Sequence, residues 1–113
     1  MSDCIFCKIA NREIGSLIYE DELVAAFNDL NPQAPVHILV VPKEHISTLN
    51  ELNEKNASLV GHMALVASKL AKEKGLEESG YRILMNCNGD AGQTVFHIHM
   101  HVLGGKRLKD SLA

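Results

Sequence analysis

Between Val95 and Leu103 the chain reads V-F-H-I-H-M-H-V-L, with histidines at 97, 99 and 101. Strict alternation over this length has the two-residue period of a β-strand, not the 3.6-residue period of a helix. It places the three imidazoles on one face and Ile98, Met100 and Val102 on the other, toward a core. Neighbouring rings then stand about 6.5–7 Å apart and the outer pair about 13 Å apart, from the rise of an extended chain. Zinc holds nitrogen at about 2.1 Å, so this strand alone cannot gather all three rings on one metal. A lone histidine on such a face reads as an ordinary polar position; three in alternation do not. Imidazole is the side chain that stays nucleophilic and proton-capable near neutrality. A row of them suits phosphoryl chemistry, in which one ring attacks phosphorus and others stabilise charge and move protons.

The segment just upstream supports that chemistry. Asn88-Gly89-Asp90-Ala91-Gly92-Gln93-Thr94 is a small, glycine-containing turn whose backbone N–H groups can approach an anion. Gln93 and Thr94 add side-chain donors beside the histidine strand. The overall charge is −3, without the basic patch that a nucleic-acid partner requires. A small anionic ligand needs only local donors and is compatible with that balance.

The remaining elements predict one α+β domain spanning residues 1–113, with a core over about 4–105 and a short tail over 106–113. Hydrophobic residues are 46% and charged residues 22% of the chain, as in a folded globular protein. Ile5, Phe6 and Ile9 define a short helix over Ile5–Ala10. Strands are expected at Ser16–Tyr19 and Leu23–Asn28, joined by a turn at Glu20-Asp21-Glu22. A proline-held loop follows at residues 29–35, then a β-branched strand at 37–42 ending on Pro42. Leu59, Met63, Val66 and Leu70 form the stripe of a long helix from Glu54 to Lys74, with Asn53 as N-cap and Gly75 closing its end. Tyr81–Asn86 and Val95–Leu103 complete a mainly antiparallel five-stranded sheet. One long helix covers one face, so the other face or an edge is expected to be met by a second copy, giving a homodimer. No run of 18 apolar residues is present, the N-terminus lacks the basic start of a secretory signal, and Cys4, Cys7 and Cys87 are odd in number. These features predict a reduced, cytoplasmic protein with no membrane partner. Cys87 reads as a core or strand-end residue and His62 as a surface residue.

His97-Ile98-His99-Met100-His101-Val102-Leu103 resembles the histidine-triad pattern, His-φ-His-φ-His-φ-φ with φ apolar. Asp29 to His37 (D-L-N-P-Q-A-P-V-H), Val41 to Ser47 (V-P-K-E-H-I-S) and the trailing Gly104-Gly105 are similar to its HINT branch, the histidine triad nucleotide-binding proteins. The likeness runs from about Cys4 to Gly105. It implies hydrolysis of purine nucleoside 5′-phosphoramidates, and in some members of aminoacyl adenylates, through a nucleotidyl-histidine intermediate without a catalytic metal. By that resemblance His99 is the nucleophile, His101 binds phosphate and positions the leaving group, His97 completes the triad and His37 buttresses it. Thr94 stands where the branch often has serine near the scissile nitrogen. Gln93 and Asn86 match positions that bond phosphate and ribose, and Asp29 the carboxylate that accepts from the ribose diol. Ile5, Phe6, Ile9, Phe27 and Leu30 match the apolar clamp around the base.

Cys4-Ile5-Phe6-Cys7 is a C-x-x-C pair of the kind that binds zinc when two further ligands arrive. The resemblance supplies them: some superfamily members hold one zinc with two N-terminal cysteines, the histidine of the Pro-x-x-His stretch and the first triad histidine. Cys4, Cys7, His45 and His97 match, which implies a structural zinc pinning the N-terminal helix to the sheet. Competing readings are a dinucleoside polyphosphate hydrolase using the same nucleophile, a nucleotide-binding module without turnover, and a zinc-stabilised interaction domain.

Overall fold

The structure is a computed structural model and describes residues 4–110. Two helices, α1 (Ile5–Ala10) and α2 (Ala57–Glu73), accompany β1 (Tyr19–Glu20), β2 (Val24–Asn28), β3 (Val36–Pro42), β4 (Tyr81–Leu84) and β5 (Met100–Gly104). The strands form one sheet in the order β1-β2-β3-β5-β4, and every neighbouring pair is antiparallel. Among the described residues no helix is long and apolar enough to cross a membrane.

β3 lies at the centre, and its unbroken apolar run is the run of a strand buried on both faces. Ile38 and Val40 face α2, where Met63, Val66, Ala67 and Leu70 close over them with Val24, Ala26, Ile98, Met100 and Val102. Leu39 and Val41 face the other way, into a smaller cluster with Phe6, Ala10, Ala25 and Phe27. The second face is thus partly covered by α1 within the same chain. On the edge strand β4, Tyr81 and Ile83 lie opposite Gly104 and Val102, on the α2 side of the sheet, and remain exposed.

Several boundaries differ from those expected, each for a local reason. β5 begins at Met100, not Val95. Opposite Ile98 the ladder meets Pro42, which has no N–H to give, and Ile98 N–H donates to Ile46 O instead, at 2.7 Å. His97 and His99 therefore precede the strand, yet the chain still alternates, with Ile98 in the α2-side core and His99 against Phe6. β4 ends at Leu84, the last residue paired with β5. β1 is reduced to Tyr19–Glu20.

The long helix starts at Ala57, and Asn56, not Asn53, is its N-cap; its side chain caps no helix N–H and accepts from Asn53 N–H at 2.7 Å instead. Asn53 instead builds the preceding turn. Its Oδ1 accepts from Lys55 N–H at 2.8 Å and Asn56 N–H at 3.1 Å. At the other end Gly75 takes the left-handed conformation, φ 77°, and Leu76 N–H returns to Ala71 O at 2.9 Å. His62 is half-buried rather than a simple surface residue. Its Nε2 bonds Asp21 Oδ2 at 2.7 Å and ties α2 to the β1–β2 turn, where Leu23 and Val24 N–H also bind Asp21. Burial pushes the Asp21 carboxyl up, but bonds from His62, Leu23, Val24 and Tyr19 outweigh it and hold it below the usual carboxylate range.

Gly105 follows β5 with φ 94°, and a Cβ there would stand 2.9 Å from Pro35 Cβ. Gly105→Ala is expected to lower folding stability by roughly 1–3 kcal/mol through backbone strain and this collision. Urea unfolding of the two chains measures it, and equal midpoints would show that the loop yields freely.

Candidate active site

Register brings the histidines together. His101 on β5 pairs with Leu39 of β3 and Leu84 of β4, and His37 lies two residues before Leu39 on the same face. The His37 and His101 rings are 5.2 Å apart between centroids, and His99 and His101 are 5.0 Å apart. This is closer than the spacing along an ideal strand, because the chain leaves the ladder before Met100. His37 and His99 are buried and His101 half-buried.

Main-chain groups dictate which nitrogen of each ring carries its proton. A carbonyl only accepts and an N–H only donates. His99 Nδ1 lies 2.8 Å from the His97 carbonyl, so Nδ1 is protonated, and Nε2 keeps its lone pair with no protein hydrogen bond among the described residues. Gln33 N–H donates to His37 Nδ1 at 3.0 Å, so the His37 proton is on Nε2. That proton is shared between His101 Nδ1 at 2.9 Å and Asp29 Oδ2 at 3.3 Å. His101 accepts on Nδ1 and in its neutral form carries its own proton on Nε2. The chain Gln33–His37–His101 thus ends in a donor beside the free lone pair of His99. Burial, with His99 and His37 nearby, lowers the His101 pKa to about 4 against a weaker opposing pull from Asp29. His101 is therefore neutral near pH 7.

Asp29, His37 and His101 lie close enough to suggest a metal site. The Gln33 N–H on His37 Nδ1 argues otherwise, since it leaves Nε2 as a donor rather than a ligand. The cluster is a hydrogen-bonded chain in which His37 donates from Nε2.

Phe6 forms the apolar wall. Its ring meets His99 edge to face at 4.9 Å and Phe27 at 5.4 Å. Ile9 packs on the same cluster. Two residues expected in the clamp are not drawn into it. Leu30, in the uncovered β2–β3 loop, is 97% exposed, and Ile5 is exposed on the short helix. Thr94 is exposed at the loop end and Asn86 is half-buried just beyond β4. Gln93 is buried, and both its amide protons are committed to main-chain carbonyls, Ser47 O at 2.9 Å and Val95 O at 3.1 Å. Its Oε1 accepts from Asn88 N–H at 2.7 Å. Asp29 Oδ1 accepts from Asn31 N–H at 2.8 Å, which leaves part of its acceptor capacity open.

A second cluster lies on the same side. Cys4, Cys7, His45 and His97 place one ligand atom each within 4.8 Å of one another. His97 is fully buried and its Nε2–H donates to Pro42 O at 2.7 Å, so Nδ1 presents a lone pair. That lone pair lies 3.4 Å from both sulfurs and 3.2 Å from His45 Nδ1, and Cys7 Sγ lies 3.2 Å from His45 Nδ1. Ligand atoms around a tetrahedral zinc stand roughly 3.3–3.8 Å apart, so this donor set fits the ion. The Pro42 carbonyl is the kind of outer partner that fixes a ligating imidazole. Burial lowers the His97 pKa to about 4, with the Pro42 bond opposing. The roles of Gln33 N–H and the His97 and Pro42 carbonyls were not visible in the sequence, because main-chain groups carry no signature there.

The HIT domain family model matches residues 11–108, and the chain belongs to the HIT family. It is 48% identical over 112 residues to the purine nucleoside phosphoramidase of Escherichia coli (strain K12), covering 98% of this chain and 94% of that protein. A histidine triad protein from Clostridium difficile superposes with a TM-score of 0.95 at 53% identity, covering 98% of this chain and 97% of that one. A HIT family hydrolase from Legionella pneumophila Philadelphia 1 superposes with a TM-score of 0.93 at 45% identity, covering 96% and 97%.

The His101 environment makes a pH prediction. Its folded pKa, about 4, lies below the unfolded value of about 6.5. Between those limits the unfolded chain binds more protons, so stability falls as pH drops and levels off below about 4. His101→Gln removes this contribution. Denaturant unfolding at several pH values in that window is expected to show a shallower decline for the variant, and parallel declines would refute the assignment.

Proposed function

We propose that the protein hydrolyses purine nucleoside 5′-phosphoramidates to nucleoside monophosphates. The observation that carries this is the His97 carbonyl on His99 Nδ1, which holds the proton there and leaves Nε2 with a free lone pair beside His101. The name of the E. coli relative supports the substrate class. Nε2 of His99 attacks the α-phosphorus, the P–N bond breaks, and the amine departs with a proton taken from solvent water. His101 Nε2–H holds a phosphoryl oxygen, while His37 and Asp29 keep His101 in that tautomer. Water then cleaves the nucleotidyl-histidine bond and restores His99. Phe6, Ile9 and Phe27 supply the flat apolar slot for a purine, and the open acceptor capacity of Asp29 suits a ribose diol. Thr94 and Asn86 stand at the phosphate and ribose ends. Gln93 is assigned to holding the loop, since its amide protons are already used. Aminoacyl adenylates, with the same α-phosphorus and a different leaving group, are accepted by the same machinery.

His99→Ala is expected to abolish AMP release from adenosine 5′-phosphoramidate, together with any covalent nucleotide adduct seen by mass spectrometry. Near-normal turnover in that variant would end the mechanism.

The same reading places a structural zinc on Cys4, Cys7, His45 and His97, and the chemistry on His99 without a metal. Such an ion would cross-link α1 to the start of the triad segment. Metal analysis of protein purified without chelator is expected to give one zinc per chain. Cys7→Ser should lose it and lower Tm by roughly 10 °C, the shift that about 2 kcal/mol produces in a chain of this size. Metal-free protein with unchanged stability would remove the zinc from the account.

The reading extends to a homodimer formed through β4, an edge strand with open backbone groups and exposed Tyr81 and Ile83. Light scattering is expected to give twice the chain mass, reduced to the single-chain mass in Ile83→Lys. A monomeric parent protein would overturn this.

A further inference from the structure

The loop before the histidines contains a reactive pair that the mechanism does not use. Of the eight asparagines, only Asn88 is followed by glycine. Both residues are exposed. Asn88 sits at φ 64°, a conformation that strains a side chain other than glycine's, and its carboxamide makes no capping bond. Gly89 opens a 3-10 turn over Gly89–Ala91, and its N–H is one of the first-turn donors that a helix leaves without an internal partner. The bonds that hold the loop run instead through Asn88 N–H to Gln93 Oε1, Gly92 N–H to Gly89 O and Gln93 N–H to Asn88 O. A nucleophilic amide nitrogen and an unpinned carboxamide are therefore adjacent, with no side chain on residue 89 between them.

We propose that Asn88–Gly89 is a self-modification site, and that its conversion weakens binding of the anionic substrate at the histidine site. The Gly89 nitrogen bonds to Asn88 Cγ, the Cγ–Nδ2 bond breaks, and ammonia leaves with the Gly89 proton. Water then adds to one carbonyl of the cyclic imide and breaks its bond to nitrogen. The product is aspartate or isoaspartate at 88, with no oxidant or reductant involved. Either product brings a carboxylate to a loop assigned to anion approach. Isoaspartate also threads the main chain through Cβ, which disturbs the Asn88–Gln93 pairing that sets the position of Thr94. The chemical step stands on the loop alone, whereas its effect on binding rests on the phosphoramidate reading.

The test is to age the purified full chain for several weeks in mildly alkaline buffer at physiological temperature. Peptide mass mapping and isoaspartate detection follow residue 88, alongside kinetics on adenosine 5′-phosphoramidate. Residue 88 is expected to convert ahead of the other seven asparagines. KM is expected to rise about fivefold in the converted protein, which corresponds to about 1 kcal/mol. Asn88→Asp carries the charge without the extra methylene and should reproduce the rise in KM. Gly89→Ala is sterically open, since a Cβ there meets nothing within 4 Å, and it should slow conversion at least several-fold, its aged kinetics being compared with its own fresh sample. An intact amide at 88, equal conversion rates with and without Gly89, or an unchanged KM in both aged and Asn88→Asp protein would overturn the proposal. Absence of turnover in fresh protein would instead strike the phosphoramidate reading, and the mass measurement would still decide the chemical step.

Discussion

A single bond, His99 Nδ1–H to the carbonyl of His97, determines what the site can do. Neutral imidazole has one donor and one acceptor, and its use depends on which nitrogen holds the proton. With a carbonyl fixed against Nδ1, the lone pair of His99 is available on the ring's other nitrogen. The same logic repeats at Gln33 N–H on His37 and at Pro42 O on His97. Main-chain groups that do not titrate leave one ring with an open lone pair, make the second a donor to its neighbour and turn the lone pair of the third toward the cysteines.

The sheet supplies those groups because β3 lies between β2 and β5. Its first residues contribute His37 opposite Leu103, and its last contributes the Pro42 carbonyl. Pro42 has a double effect. By lacking an N–H it releases residues 95–99 from the ladder, and by presenting its carbonyl it captures His97. Released from an ideal strand, the rings approach to 5.0 Å. A fully extended triad would hold neighbouring rings about 6.5–7 Å apart.

Much of this was legible in the sequence. The two-residue alternation placed Ile98, Met100 and Val102 in the core, and the stripe on the long helix identified Met63, Val66 and Leu70 as its buried face. The C-x-x-C pair was readable by itself, whereas His45 and His97 joined it only by likeness to relatives. Strand ends were less legible, since they depend on whether the opposite residue has an N–H. The fate of Gln93 was hidden for a similar reason: its amide is used by Ser47 and Val95, carbonyls that leave no mark in side-chain identity. Leu30 shows the opposite limit. An apolar residue in a matching motif position still stands in solvent when no element covers its loop.

The two clusters meet at Phe6. It stands between Cys4 and Cys7 in the chain, and its ring touches His97 at 6.2 Å and His99 at 4.9 Å. α1 has only six residues, far fewer than a helix needs to persist by its own hydrogen bonds. Its position therefore depends on side-chain anchors. Phe6 and Ala10 provide apolar ones, and the two sulfurs against His45 and His97 provide the others. The wall beside His99 is thus only as well placed as the cysteine–histidine cluster makes it. Loosening that cluster moves the ring that packs on His99 before it disturbs the larger core beneath α2, which shares none of these residues. The cluster and His99 are joined in mechanics, and the aromatic ring between them is the joint.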